Sequence, residues 1–267
     1  MRPEQIRLKK RVGPETDRKR KSLSRNPREP DGCCWRIVQS KDEIRHSPCR
    51  AEGGGVVMAE PLRVLVACEF SGTVRRAFAA LGHDAWSCDL LPAEDRSNKH
   101  IVGDARDILD DGWDLLMVAH PPCTRLCNSG VRWLSTPPPG KTTEQMQEEL
   151  REGAALFSAF WNAPIERICV ENPVMHRHAK ALIENYQEPA QSVQPWQFGH
   201  GEVKRTCFWL KNLPPLLPTN IVEGRTARVH RMPPGPDRWK ERSRFFTGIA
   251  EAMAHQWGGF ADERAVA

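Results

Sequence analysis

Short apolar runs alternate with segments of helical periodicity along most of this chain, and this alternation limits the folds that the chain can adopt. A valine-rich run at 62–68 is followed by a Gly turn and by apolar residues at helical spacing in 74–81. Apolar runs of this length are typical of strands that are buried on both faces. Strands that alternate with helices indicate an α/β domain built on a parallel sheet. The other predicted strands lie at 84–88, 113–119, 167–170 and 207–210, and the other predicted helices at 144–161 and 245–257.

The positive charge of the chain is concentrated before this pattern begins. Residues 1–57 contain 15 Lys and Arg against 8 Asp and Glu, whereas the rest of the chain contains 24 against 26. Low hydrophobicity with high charge predicts disorder, so we expect 1–57 to be a disordered basic extension. It is a nucleic-acid arm, a localisation signal, or a dispensable segment before a start at Met58. We expect one folded domain at 58–260 and a tail at 261–267.

The composition excludes several other classes of protein. No apolar run approaches the roughly 20 residues of a membrane span. Nine scattered cysteines, without an apolar leader segment, favour a reduced and cytoplasmic protein. Cys33, Cys34 and Cys49 are not accompanied by a second cysteine pair at zinc-site spacing, and we expect no metal.

The residues with the most distinctive chemistry directly follow the predicted strands. They lie at 69–72, at Asp89, at 120–123 and at 171–173. In open α/β sheets, ligands bind outside the carboxyl ends of the strands. We therefore predict an enzyme whose active site lies at this edge of the sheet.

The first strand–helix turn and two acidic residues favour a nucleoside ligand. In the turn at 69–72, a small residue and a glycine permit close approach of the backbone to a ligand, although an ordinary turn has the same composition. Asp89 ends the second strand, where a carboxylate accepts hydrogen bonds from ribose hydroxyls in nucleotide-binding folds. Asp104 follows a third strand-like stretch and is a candidate for contact with an adenine edge.

A cysteine and a glutamate at two strand ends are candidates for catalysis. Two prolines before Cys123 restrict the loop and the direction of the thiol, as suits a nucleophile. The alternatives are an inert buried thiol or a metal site shared with His120 and Cys127. Glu171 leaves a buried strand and suits acid catalysis or recognition of an N–H edge. A helix N-cap region equally explains the Asn and Pro that follow it.

Two basic segments carry cations toward the same region. Residues 198–208 form a Gly-punctuated loop in which Lys204 and Arg205 can hold a phosphate, although a solvated basic turn fits equally well. Residues 238–244 combine four cations with Trp239. That combination suits contact with a nucleic-acid backbone, or the exposed start of a helix.

This ordered set of motifs resembles the DNA (cytosine-5) methyltransferases. The turn at 70–72 is similar to the first S-adenosylmethionine-binding motif of that family, and 122–123 is similar to its Pro-Cys nucleophile motif. The pair at 171–172 is similar to its Glu-Asn-Val motif, with Pro173 in place of Val. The loop at 198–208 is similar to the later loop that steadies the nucleophile loop. The body of the chain also resembles the small methylase-like proteins of phages and prophages.

The resemblance implies a three-layer, Rossmann-like fold that depends on S-adenosylmethionine, and methyl transfer to cytosine in DNA through a covalent Cys adduct. The implied catalytic residues are Cys123, Glu171, Asn172 and Lys204. The implied cofactor-binding residues are Glu69, Phe70, Ser71, Gly72, Asp89, Leu90, Asp104, Ala105 and Pro121. The implied substrate-binding residues are Pro122, Thr124, Arg205 and Arg242.

Departures from the family pattern keep other functions open. Thr124 replaces the usual Gln, and Lys204 and Thr206 lie where the family has two arginines. The large target-recognition domain of the family is reduced to about 212–238, so an accessory partner is a further candidate for DNA recognition. The alternatives are carbon-5 modification of a nucleotide or single strand, and a catalytically silent DNA- or cofactor-binding relative. We expect a location in the cytoplasm of a bacterium or of a phage-infected host cell.

Overall fold

The computed structural model describes residues 60–259. The expected basic extension at 1–57, the three cysteines within it and the expected tail at 261–267 lie outside the described residues. The strands are β1 (Arg63–Ala67), β2 (Asp84–Asp89), β3 (His100–Val102), β4 (Leu115–Val118), β5 (Arg167–Asn172), β6 (Gln191–Val193) and β7 (Thr206–Lys211). The helices are α1 (Thr73–Ala80), α2 (Thr143–Trp161), α3 (Arg177–Lys180), α4 (Arg228–Arg231), α5 (Arg238–Ser243) and α6 (Thr247–Trp257). Within 60–259, no helix is both long and apolar enough to cross a membrane.

The seven strands form one sheet in the order β3-β2-β1-β4-β5-β7-β6. Strands β1 to β5 pair in parallel, which confirms the predicted α/β class and the parallel pairing of these strands. The prediction of a wholly parallel sheet is corrected, because β7 runs antiparallel to both β5 and β6. No α-helix lies between β6 and β7, and a crossover between parallel neighbours usually requires one.

Alternate residues of the central strands face opposite layers of helices. Leu65 and Ala67 of β1 belong to the apolar cluster that includes residues of α2. Val64 and Val66 belong to the cluster that includes residues of α1 and α6. All four side chains are fully buried, so the sheet is covered on both faces and polar ligands are restricted to the strand ends.

Helix α2 begins with a reciprocal cap and packs one face on the sheet. The Thr142 hydroxyl accepts a hydrogen bond from the Gln145 backbone N–H, and the Gln145 side chain accepts one from the Thr142 backbone N–H. Such a pair satisfies two N–H groups that the helix itself leaves unpaired. Five buried apolar side chains of α2 recur at the predicted spacing of three and four residues: Met146, Leu150, Ala154, Phe157 and Trp161. Phe160 is buried as well.

Truncation of Phe157 tests this packing. Phe157 is buried, and its ring lies edge-on to Trp209 of β7 with centroids 5.2 Å apart. We expect Phe157→Ala to lower the free energy of unfolding by about 3–5 kcal/mol, because it leaves a cavity between α2 and the sheet. Urea unfolding measures the change. The exposed Glu152→Ala on the same helix is the control, and equal effects of the two substitutions would contradict this packing.

Candidate active site

The strand order reverses between β1 and β4. From β1 the sheet continues through β2 and β3, and from β4 it continues through β5 and β7. Connections leave such a switch point in opposite directions and open a crevice outside the carboxyl ends of the strands. The segments at 68–72 and 119–123 follow β1 and β4, and the Ala119 N–H donates to the Ala67 carbonyl at 2.9 Å. The predicted turn and the predicted cysteine loop therefore border one crevice.

The turn after β1 depends on Glu69 and Gly72. Glu69 is fully buried, and its carboxylate accepts hydrogen bonds from the backbone N–H groups of Val74 (2.7 Å) and Arg75 (3.1 Å). Burial raises the pKa of Glu69, whereas these two hydrogen bonds lower it. Gly72 has a φ of 68°, and a Cβ at this position would lie 2.5 Å from the Arg75 guanidinium. The Glu69 carboxylate is thus engaged in holding the start of α1.

The ends of β2 and β3 present two carboxylates and two exposed apolar side chains. Burial raises the pKa of Asp89, which also accepts a backbone hydrogen bond. Asp104 pairs with Arg106, and this bond lowers the pKa of Asp104. Leu90 is 68% exposed and Val102 is 60% exposed. This edge combines hydrogen-bond acceptors with an apolar surface, a combination that suits a nucleoside.

The loop after β4 carries His120 and Cys123 into the site. The His120 ring lies 5.7 Å from the Phe245 ring, centroid to centroid. Burial, followed by the nearby cations Lys204 and Arg244, lowers the pKa of His120 to about 3, so that its imidazole is neutral. Its Nε2 atom has no hydrogen-bond partner among residues 60–259. In the same part of the chain, no three His, Cys, Asp or Glu side chains are grouped to hold a metal ion.

Glu171 and Lys204 form the other wall of the site. The antiparallel register pairs Glu171 with Phe208, which places the segment before β7 beside the end of β5. Burial raises the pKa of Glu171 to about 7, and the charge of Lys204 opposes that rise. Both residues line a narrow recess with Thr206 and Phe245. A carboxyl group in this state can either donate or accept a proton near neutral pH.

The same two groups influence the Cys123 thiol electrostatically. Its pKa is raised by a hydrogen bond with Cys127, by burial and by the Glu171 charge, whereas Lys204 lowers it. Cys123, Glu171 and Lys204 therefore interact although they come from three different segments. Asn172, the last residue of β5, is fully buried, and its side-chain amide has no partner among the described residues.

Helix α5 lies over the turn after β1. The Trp239 ring packs against Phe70 with centroids 6.1 Å apart. The Glu94 carboxylate accepts hydrogen bonds from the two terminal nitrogens of the Arg244 guanidinium, at 2.7 and 3.0 Å, and pairs with the Lys240 ammonium at 2.8 Å. The Glu94 N–H donates to the Phe70 carbonyl, so these ion pairs connect α5 directly to the turn.

The remaining predicted site residues lie at the rim or beneath it. Pro121 and Ala105 are buried, Ser71 is buried in the turn, and Pro122, Thr124 and Arg205 are exposed. Arg242 is half-buried, and its carbonyl accepts a hydrogen bond from Lys204 Nζ at 3.0 Å. The backbone of Arg242, rather than its guanidinium, makes this contact with the site.

The sequence patterns do not place four residues of this region in the site. They indicate Trp239 only as a nucleic-acid contact or part of an exposed helix start, and Cys127 only as a ligand of an alternative metal site, and they do not indicate Glu94 or Cys68. Cys68 has a φ of 57° directly after β1, a conformation that is uncommon for a residue with a side chain and concentrates at functional sites. The available signal for Cys68 and Cys127 was their position beside strand-end motifs. No local pattern identifies the contacts of Glu94, because its partner Arg244 is 150 positions away.

Comparison with known proteins leaves the family of this chain unassigned. No family model matches the chain, and no curated protein sequence matches it. One solved structure that resembles it is an E. coli protein described as a DNA modification methyltransferase encoded within a prophage, with 17% sequence identity and a TM-score of 0.39. The aligned part covers 61% of this chain and 52% of that protein, so this chain spans about half the length of its neighbour. A similarity of this size assigns no activity.

The turn geometry predicts opposite outcomes for two glycines at the crevice. Gly72→Ala places a Cβ against Arg75 at a left-handed φ, whereas nothing lies within 4 Å of a Cβ at Gly103. We expect Gly72→Ala to lower the free energy of unfolding by at least about 1 kcal/mol, and Gly103→Ala to leave it within about 0.5 kcal/mol. Urea titrations of both variants test this, and an unchanged midpoint for Gly72→Ala would contradict the strained turn.

The raised pKa of Glu171 predicts a pH-dependent stability. Between its ordinary pKa of 4.5 and its folded pKa of about 7, the folded state binds the proton more tightly than the unfolded state does. The stabilisation by the protonated carboxyl is therefore complete below pH 4.5 and is lost as the pH rises through 7. As the pH rises from acidic to mildly alkaline, wild type loses this stabilisation and Glu171→Gln does not. We therefore expect the free energy of unfolding of Glu171→Gln, relative to that of wild type, to rise by on the order of 3 kcal/mol.

Urea unfolding of wild type and Glu171→Gln across this pH range measures the difference. The exposed Glu152→Gln is the matched control for a change of charge alone. If the difference in free energy of unfolding between wild type and Glu171→Gln does not change with pH, the folded protein does not shift the pKa of Glu171.

Proposed function

We propose that this chain is an S-adenosylmethionine-dependent DNA (cytosine-5) methyltransferase that acts through a covalent bond from Cys123 to the base. The observation that carries the proposal is that Glu171 and Lys204 line one recess at the end of β5, and that the Cys123 loop follows the parallel neighbour β4 at the same edge of the sheet. Addition to a pyrimidine ring needs a sulfur nucleophile, an acid for the ring nitrogen and a compensating positive charge. These three side chains provide all of them.

The proposed domain spans 58–260 and has a Rossmann-like methyltransferase fold with the cofactor at the switch point. The crevice fits a nucleoside, because the exposed Leu90 and Val102 offer an apolar wall for a purine and Asp89 offers a carboxylate for ribose hydroxyls. When Asp104 contacts the adenine edge, its carboxylate would bind both the adenine and the Arg106 guanidinium. The other proposed cofactor-binding residues are Glu69, Phe70, Ser71, Gly72, Ala105 and Pro121. When bound, S-adenosylmethionine supplies an electrophilic methyl group.

The chain's own residues activate the base. The Cys123 sulfur bonds to carbon 6 of cytosine while Glu171 gives a proton to ring nitrogen 3, so that carbon 5 becomes nucleophilic. Lys204 stabilises the thiolate and the carboxylate that form. Asn172, whose buried amide is free of partners among the described residues, is proposed to position Glu171 or the base. After carbon 5 has taken the methyl group, loss of the carbon-5 proton to water and breakage of the carbon–sulfur bond release Cys123, and nitrogen 3 returns its proton to Glu171.

The proposed substrate is cytosine in DNA. Pro122, Thr124 and Arg205 lie at the exposed rim of the site, where they can contact a base that has left its strand. Arg242 is proposed to contact the backbone. Flipping a base out of a duplex costs a few kcal/mol. The proposal places the protein in the cytoplasm of a bacterium or an infected host, where DNA is accessible.

One observation favours a second candidate substrate. Between β7 and α5 the chain contains only the four-residue helix α4 (Arg228–Arg231), so the segment at 212–238 offers little structure for reading a duplex. A single strand or a free nucleotide requires no base flipping. For duplex DNA, an accessory protein would then supply the recognition of sequence.

Transfer of labelled methyl groups from S-adenosylmethionine tests the proposal. We expect wild type to label cytosine in DNA and Cys123→Ala to label none, because this variant lacks the sulfur that forms the bond to carbon 6. Cys169→Ala, which removes a fully buried strand thiol, is the matched control and is expected to retain activity. Duplex DNA, single-stranded DNA and dCMP are tested in parallel to separate the two candidate substrates.

The products decide between the candidates. Label on dCMP alone would favour the second substrate. Equal label with wild type and Cys123→Ala would overturn the covalent mechanism, and no label on any substrate would overturn the proposed activity.

A further inference from the structure

A histidine from the loop at 198–205, which precedes β7, caps the start of α6. The first N–H groups of a helix have no partner within the helix, and Phe246, the residue before α6, has no polar side chain to cap them. Instead, the Gly248 N–H donates a hydrogen bond to His200 Nε2 at 3.0 Å. The Thr247 hydroxyl lies 3.4 Å from the same nitrogen. The imidazole therefore provides the cap that the sequence next to the helix does not.

The same contact fixes the loop against α6. A Cβ at Gly248 would overlap the Phe198 carbonyl oxygen, so the backbones of the loop and of the helix touch. The His200 ring packs on the Phe246 ring with centroids 5.1 Å apart. Within the loop, the His200 N–H donates to the Pro195 carbonyl at 3.1 Å. The imidazole is thus held from two sides, by its own loop and by the start of α6.

This contact joins two walls of the recess that contains Glu171 and Lys204. Lys204 belongs to the same loop as His200, and its Nζ atom lies 5.9 Å from the centroid of the Phe246 ring. Phe246 and Ile249, at the start of α6, line the recess together with Glu171 and Lys204. Loss of the His200 contact would free the start of α6 from the loop, and would therefore change the surroundings of both Glu171 and Lys204.

The capping contact requires a neutral imidazole. A protonated imidazole has two N–H donors and no acceptor atom, so it cannot accept the Gly248 N–H. The positive end of the helix dipole also disfavours a cation at the start of α6. Protonation of His200 would therefore abolish the contact rather than weaken it.

The surroundings of His200 keep it neutral near neutral pH. Burial lowers the pKa of His200 below its ordinary value of 6.5, whereas the charges of Glu251 on α6 and of Glu202 on its own loop oppose this change. The other charged side chains on the elements packed against the ring are exposed or engaged elsewhere: Lys204, Arg205, Glu223, Arg225 and His255. The stabilisation by the neutral ring is complete above pH 6.5 and is lost as the pH falls below that value.

We propose that His200 is a positioning residue that clamps the loop carrying Lys204 to the start of α6, and that protonation of its imidazole in acid releases this clamp. The clamp is a property of the protein without substrate. Its effect on methyl transfer, through Lys204 and Glu171, rests on the proposed function.

Hydrogen exchange of the Gly248 N–H tests the clamp without DNA or cofactor. Exchange in the full-length protein is followed by NMR and divided by the rate of an unfolded peptide at the same pH. In wild type we expect protection to fall about five- to tenfold between about pH 8 and about pH 4.5, because one hydrogen bond is lost. His200→Gln keeps an acceptor that does not titrate, so its protection is expected to stay constant. His200→Ala is expected to show the low protection at both pH values.

The exposed His230→Ala is the control for the loss of a titrating imidazole, and it is expected to follow wild type. Equal protection in wild type and His200→Ala at the alkaline pH would overturn the proposal. A loss of protection in His200→Gln as large as that in wild type would also overturn it. If His200→Ala does not fold, the comparison of wild type with His200→Gln decides alone.

Methyl transfer measures the positioning role. At the alkaline pH we expect His200→Ala to lower kcat about tenfold, because the groups of the recess are displaced, with KM for S-adenosylmethionine little changed. His200→Gln is expected to restore kcat. An unchanged kcat in His200→Ala would overturn the positioning role. If wild type transfers no methyl group, that failure counts only against the proposed function, and hydrogen exchange still decides whether the clamp exists.

Discussion

Burial of the central strands on both faces determines where chemistry is possible in this protein. Residues 64–67 of β1 and 115–118 of β4 are at most 1% exposed. An unpaired charge inside such a sheet would cost several kcal/mol, so acidic and basic side chains are confined to the strand ends. The reversal of strand order between β1 and β4 then opens a crevice at one of those edges. The crowding of ionisable groups there is a consequence of the apolar sheet.

The Lys204 ammonium affects the pKa values of several ionisable groups at this buried edge of the sheet. Lys204 lowers the pKa values of Glu171 and Cys123, and it helps to keep His120 neutral. Its position depends on β7, because only a strand that starts at the end of β5 brings the preceding segment beside Glu171. The antiparallel direction of β7 therefore determines where Lys204 lies. A parallel strand in this place would carry Lys204 to the opposite edge of the sheet.

The parts of the fold that sequence patterns predicted are those set by local periodicity. The strands β1, β2, β4 and β5 and the helix α2 were found with ends within about two residues of their predicted bounds. Strand β6 at Gln191–Val193 is too short and too polar to produce a pattern, and the direction of β7 depends on long-range pairing. At the site, the strand-end rule singled out Cys123 and Glu171. It did not single out Glu94, because the contacts of Glu94 are with a residue 150 positions away.

The short segment between β7 and α6 is more than a connection. It places Trp239 over Phe70 and joins the turn through Glu94, while the Arg242 carbonyl holds the Lys204 ammonium. Ion pairs at the surface contribute at most about 1 kcal/mol each, so this segment is attached by contacts that a ligand can replace. The segment that covers Phe70 is therefore the same segment that contacts Lys204, so the turn after β1 and the carboxyl at the end of β5 share one neighbour.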